Sequence, residues 1–227
     1  MRSAPFLLRS TGIVLSLCFL AGCLTVEEKT QRDQLHAQAQ KDKVRQIQVA
    51  SLQSANAIDH ASFRETKRWK RKIFRDNNVL ALARSGPYEL KIITSEQRGQ
   101  LLVGELVGWD FPVTTGRKSH PTPFGEFKIV AKEIEHRSNL YGKIVDVDGN
   151  VVVGNADARK HKPAEDASFE GAPMPYFMRL TWDGVGLHVG NIPGYAASHG
   201  CIRIPKSLAP ELYAMAPIGT KVSVVAR

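Results

Sequence analysis

The sequence predicts a mainly β fold: a folded sheet or sandwich of short strands with few short helices, preceded by a polar segment that is either a lone helix or disordered. Three observations point there. After Pro87 apolar and polar residues alternate in short runs, as in Tyr88-Glu89-Leu90-Lys91-Ile92-Ile93-Thr94. Gly or Pro punctuates almost every run. Before Pro87 the chain is rich in Gln, Ala and charge, with no Phe, Tyr or Trp between Leu24 and Ser62.

The first element is a leader. Arg2 and Arg9 precede an apolar run from Thr11 to Leu20, followed by Ala21-Gly22-Cys23. That run is too short to span a bilayer comfortably and ends in small residues, which reads as a cleaved secretory signal. Leu20-Ala21-Gly22-Cys23 also resembles a bacterial lipobox, whose cysteine is lipidated and becomes the first residue of the mature chain. The expected organisation is a lipoprotein signal peptide at 1–22, a charged Gln/Ala-rich stalk at 23–87 and a folded domain at 88–227. Cys18 would leave with the signal, and lipidation would consume the thiol of Cys23. Two or more acyl chains would hold the chain stably on a membrane. The expected location is the cell envelope, facing the periplasm; in a Gram-negative cell Leu24, where an Asp is absent, fits the outer membrane. With a formal charge of +9, falling to +7 when Arg2 and Arg9 leave with the signal, the chain would have anionic headgroups and wall polymers as neighbours there, not nucleic acid.

If helical, the stalk's roughly 60 residues would reach about 90 Å at about 1.5 Å per residue. Its basic run Arg64–Arg75, with Trp69 and Phe74 interleaved, has two readings: a contact with anionic polymer or membrane, or a solvated helix face with two packing aromatics, which is favoured. Strands then follow around Tyr88–Thr94, Leu101–Val103, Leu106–Val107, Phe111–Thr115 and Phe127–Ala131. A hairpin joins Lys143–Val145 to Val151–Val153 through Asp146–Asn150. Asp146, Asp148 and Asn150 brush against a calcium loop, but its sixth position is Val151 instead of Gly and its twelfth is Asp157 instead of Glu. A short helix is expected around Ser207–Met215.

The chemistry concentrates in Leu187-His188-Val189-Gly190 and Ser198-His199-Gly200-Cys201-Ile202-Arg203-Ile204. A thiol with an imidazole nearby is the minimum kit for a thiolate nucleophile, because a free cysteine at pKa about 8.5 is mostly protonated at neutral pH. The plainer reading, a small buried hydrophobe with two ordinary histidines, leaves the Gly beside the sulfur unexplained. Upstream, Thr115–Phe127 holds Pro121-Thr122-Pro123 and two glycines, a turn-fixing composition that reads on its own as an ordinary strand connection.

Together, Gly116–Phe127 with Pro121-Thr122-Pro123-x-Gly125-x-Phe127, Met174-Pro175-Tyr176, and His188-x-Gly190 through Ser198-His199-Gly200-Cys201-Ile202-Arg203 resemble the L,D-transpeptidase catalytic domain (YkuD-type) over about 88–227. The resemblance implies a β-sandwich with the cysteine in a cleft under a mobile lid, here placed at Tyr141–Pro173. It makes Cys201 the nucleophile and His188 the base, oriented by the Val189 carbonyl. An imidazole at hydrogen-bond distance would favour the thiolate and later protonate the leaving amine. The backbone amides of His199, Gly200 and Cys201 are candidate oxyanion donors, each typically worth about 3 kcal/mol. Arg203, Ser198, Tyr176 and Met174 are candidate substrate contacts, with a structural role for Arg203 slightly ahead. Thirteen positions separate His188 from Cys201, fewer than in well-studied relatives, so Asn191–Ala197 must turn tightly, helped by Pro193 and Gly194.

By the same resemblance the substrate is a peptidoglycan stem tetrapeptide. The sulfur attacks the carbonyl of its third residue and expels D-alanine, leaving a thioester. A second stem's amine would give a 3-3 cross-link, and the lysine of a wall-anchored lipoprotein a protein–wall bond. Water would make the chain an L,D-carboxypeptidase or an amidase. A non-catalytic lipoprotein bridging membrane and wall is a further alternative. The chemistry calls for no metal and no organic cofactor.

Overall fold

The structure, a computed structural model, describes residues 26–227; Cys18, Cys23 and the leader lie outside the described residues. The chain divides into two units at Val44/Arg45, the second being Arg45–Arg227. Helix α1, Val26–Glu65, contributes to both, so the polar segment is helical there. In the first unit its described side chains are all exposed, and local bonds such as Gln38 Nε2 to Asp42 Oδ1 at 2.9 Å support its turns. Among the described residues no helix is long and apolar enough to cross a membrane.

Within Arg45–Arg227 the fold is a two-sheet sandwich. Six strands form the first sheet: β1 (Phe74–Arg75), β2 (Glu89–Ile93), β3 (Arg98–Val103), β4 (Leu106–Pro112), β5 (Gly125–Lys128) and β11 (Lys221–Val225), in the order β1-β4-β3-β2-β11-β5. Five form the second: β6 (Ala131–Asp146), β7 (Val151–Asp157), β8 (Ala167–Arg179), β9 (Gly186–Val189) and β10 (Ile202–Ile204), in the order β10-β9-β8-β6-β7. Inward residues of both sheets share one core. Leu90, Ile92, Leu101, Trp109, Phe111 and Val222 come from the first sheet, and Met178, Leu187, Ile202 and Ile204 from the second. Each fully buried aliphatic side chain contributes about 1.5–3 kcal/mol.

Two short helices complete that core. Helix α3, Ala209–Met215, falls where the sequence predicts one. Helix α2, Asn77–Arg84, is not foreseen: Asp76 caps it through Oδ1 to the amides of Asn78 and Val79 at 2.9 and 3.2 Å, and Val79, Leu80, Leu82 and Ala83 are buried. The segment expected as a lid is built as strand, supplying the end of β6, all of β7 and the start of β8.

The second half of α1 packs on the first sheet mainly through polar groups. Buried Asn56 takes the place of a strand neighbour, accepting from Val107 N at 2.8 Å and donating to Val107 O at 3.0 Å. His60 Nε2 lies 2.7 Å from Asp110 Oδ2, whose other oxygen holds Arg98 Nε at 2.6 Å. Arg98 Nη1 donates in turn to the carbonyls of Lys70 and Lys72 at 3.1 and 3.0 Å. The aromatics of the basic run pack, as favoured: Phe74 lies 5.4 Å from Phe63, and the Arg64 guanidinium 4.3 Å over Trp69. Burial works to raise the Asp110 pKa, but the His60 bond and the Arg98 and Arg64 charges hold it below its ordinary value. Both Arg98 and Asp110 are wholly inaccessible. Asp110→Asn, which strands a buried guanidinium, is therefore expected to cost about 3–5 kcal/mol, read by urea denaturation of the full chain; a loss under 1 kcal/mol would refute the clamp.

Candidate active site

The site grows from the only parallel pair of the second sheet. Strands β9 and β10 align Leu187 with Ile202, His188 with Arg203 and Val189 with Ile204. Side chains alternate across a strand. With Leu187, Ile202 and Ile204 committed to the core, His188, Arg203 and Cys201 turn to the other face. That face floors a cavity of about 1070 Å³ whose lining includes Met174, His188, Ser198, His199, Gly200, Cys201 and Arg203. Tyr176 does not line it. Its backbone takes φ 56°, and its ring packs edge-on to Tyr213 with centroids 5.6 Å apart, so the kink in β8 carries it away from the cleft.

His188 is held as the resemblance implies: its Nδ1 donates to the Val189 carbonyl at 2.8 Å. This bond fixes the tautomer and leaves Nε2 as the basic nitrogen. Burial lowers its pKa to about 4, with the Arg203 and His136 charges adding and the Val189 carbonyl opposing. The thiol departs from expectation. Cys201 Sγ donates to the Gly184 carbonyl at 3.4 Å, with no hydrogen bond to His188. Burial pushes its pKa up, against the Gly186 N–H and the Arg203 and Arg179 charges, and Asp183 adds to the rise. The resting pair is thus a neutral thiol and a neutral imidazole, not the ion pair inferred from the motif, because desolvation penalises both charged forms.

A pH dependence follows. The imidazole is free to accept a proton above about pH 4, so thioester formation is expected to keep a flat acid limb down to about pH 5 and to fall through pH 4. A limb at 6.5 would contradict the buried base. The sign for stability is the same: an unfolded His binds its proton near pH 6.5 and the folded one near 4, so this contribution is complete above 6.5 and lost as pH falls through 4.

The cysteine loop is braced from within and from the Thr115–Phe127 segment. Ser198 Oγ donates to the Cys201 carbonyl and accepts from Gly200 N at 3.1 Å. Ser198 is buried and therefore holds the turn, although it borders the cavity. Gly200 has φ 119°, a conformation that favours glycine. Its N–H being engaged, the amides of His199 and Cys201 remain the oxyanion candidates. Thr122 Oγ1 accepts from Gly116 N at 2.8 Å and donates to the Gly200 carbonyl at 2.7 Å. The amides of Ala197 and Ser198 both donate to Thr115 O at 3.0 Å, and Gly194 turns the short loop at φ 95°. The His199 ring stacks on Tyr141 at 4.3 Å, and Arg117 Nη2 lies 2.8 Å from its Nε2. Burial, then the Arg117 charge, lowers the His199 pKa.

Thr122, Arg117 and Tyr141 were not singled out from the sequence as site residues. Only Thr122 carries a local signal: between two prolines, it supplies a hydroxyl where the ring nitrogens offer no donor.

Comparison with known proteins follows this geometry. No curated protein sequence matches. Among solved structures, similarity is found to an L,D-transpeptidase from Mycobacterium smegmatis (20% identity, covering 62% of this chain and 59% of that one, TM-score 0.46). Another, from Stackebrandtia nassauensis, has 22% identity and covers 62% and 56%, with TM-score 0.45. A third was solved in complex with imipenem (21%, covering 61% and 58%, TM-score 0.45). The alignments span less than two thirds of those three proteins. The family model of the L,D-transpeptidase catalytic domain, YkuD, matches residues 87–224. That is more than half of the sequence and contains both His188 and Cys201, so the chain belongs to the L,D-transpeptidase catalytic-domain family.

Proposed function

We propose that the chain is a cysteine-dependent L,D-transpeptidase acting on peptidoglycan stem peptides through a thioester. The observation that carries this reading is His188, pinned through Nδ1 to Val189 so that its other nitrogen serves the cavity holding the Cys201 sulfur. As the sulfur attacks the third residue's carbonyl, Nε2 takes the thiol proton and the carbonyl oxygen becomes an oxyanion facing backbone amides. Collapse expels D-alanine, whose nitrogen takes that proton, and leaves the thioester. The neutral imidazole then removes a proton from the attacking amine of a second stem or of a wall-anchored lipoprotein, and the thiol is regained. The chain's own groups carry every proton in this sequence.

The Leu20-Ala21-Gly22-Cys23 pattern after an apolar run supports a cell-envelope location with a lipid on Cys23. Loss of labelled-palmitate incorporation in Cys23→Ser tests that anchor. The activity is tested by mass spectrometry of muropeptides incubated with the full chain. The expected result is D-alanine release with a new dimer or exchange product; D-alanine release without any new amide would favour the hydrolase.

A further inference from the structure

We propose that Arg179 and Arg203 form a carboxylate-reading subsite, so that the acyl donor is selected for a free carboxylate on the departing residue. This rests on the stem-peptide reading above. Both arginines line the cavity with Cys201, and Asp183 is the one acidic residue among its described lining residues.

Five arginines elsewhere pair with acids, Arg64 with Glu96, Arg75 and Arg84 with Glu211, Arg98 with Asp110, and Arg159 with Asp157, while others such as Arg45 and Arg137 spend their guanidiniums on backbone carbonyls. Arg179 and Arg203 have no such partner among the described residues. The hydrogen bond of the Arg203 guanidinium is a long one, Nη1 to the Asn191 carbonyl at 3.4 Å. Both are nevertheless held in place. The stem of Arg203 lies against Gly190, where a Cβ would come within 2.7 Å of its Cγ and Cδ. The Arg179 guanidinium sits 5.0 Å over the Phe177 ring.

Two half-buried cations held without a counter-ion leave their donors open to a ligand, and the planar fork of arginine matches a carboxylate. Arg203 aligns with His188, and Arg179 aligns with Gly186, two residues from the Gly184 carbonyl that the Cys201 thiol meets, which locates both beside the reacting pair instead of at a remote end of the cleft. In a donor cut after its third residue, the free carboxylate nearest that bond belongs to the departing D-alanine.

The test compares two donors of equal length, a stem tetrapeptide ending in a free carboxylate and the same peptide ending in a carboxamide, with the full chain. Acylation of Cys201 is followed by intact mass. A charge-assisted hydrogen bond of about 1.5–3 kcal/mol converts to about a 10- to 100-fold preference in kcat/KM for the free acid. Arg179→Gln and Arg203→Gln are each expected to shrink that ratio. Equal use of both donors by the wild type overturns the subsite while leaving the transpeptidase reading intact, and this comparison needs no variant to fold. An equal fall for both donors in each variant, with the ratio kept, also overturns it by assigning the arginines to the oxyanion or thiolate. Failure of both donors to acylate Cys201 removes both proposals.

Discussion

Cys201→Ser is expected to lower D-alanine release from stem tetrapeptides by about 10⁴-fold or more, the scale on which removal of a covalent nucleophile acts. The reason lies in the base. With its pKa near 4, His188 accepts a proton from a buried thiol only as the sulfur bonds to carbon, and a serine hydroxyl holds its proton far more tightly. Fold is not at stake: a hydroxyl keeps the donor to the Gly184 carbonyl that Cys201 Sγ provides. Unfolding curves of the variant and wild type should therefore agree within about 1 kcal/mol. Measurable D-alanine release by a well-folded serine variant would assign the attack to another group.

His188→Gln has the second-largest expected effect, a loss of about 10²–10⁴-fold in kcat, the usual contribution of a positioned general base. Glutamine retains an amide donor for the Val189 carbonyl that the ring nitrogen occupies, but it offers no basic nitrogen. Because the resting thiol is hydrogen-bonded to Gly184 and not to the imidazole, its reaction with a neutral alkylating reagent should change less than about tenfold in the variant. A rate of alkylation that collapsed in step with kcat would restore the resting ion pair. The acid limb assigned to His188 should also vanish from what activity remains.

The sandwich was legible because its strands alternate: Leu90 and Ile92, and then Leu101 and Val103, are core residues at the spacing the sheet requires. Helix α2 was not, since its four buried residues are too few for a 3.6-residue period to stand out from a polar surrounding. The attachment of α1 was hidden for a different reason. Asn56, His60 and Arg64 make it through hydrogen bonds and charge, and apolar periodicity does not register polar contacts. At the site, Cys201 and His188 stood out because strand pairing joins residues close in sequence. Thr122 and Tyr141 reach the cysteine loop across long stretches of chain, and no local pattern encodes that. The protonation balance was not legible because it depends on burial, which the motif does not contain.

Intact-mass analysis of the full chain mixed with a stem tetrapeptide, quenched in acid and followed by peptide mapping, tests the role of Cys201 most directly. The expected result is a gain equal to the tripeptide acyl group, confined to the peptide containing Cys201 and released by hydroxylamine as a thioester should be. D-Alanine release at full rate with Cys201 unmodified at every quench time, or an acyl group found on another residue, would contradict it.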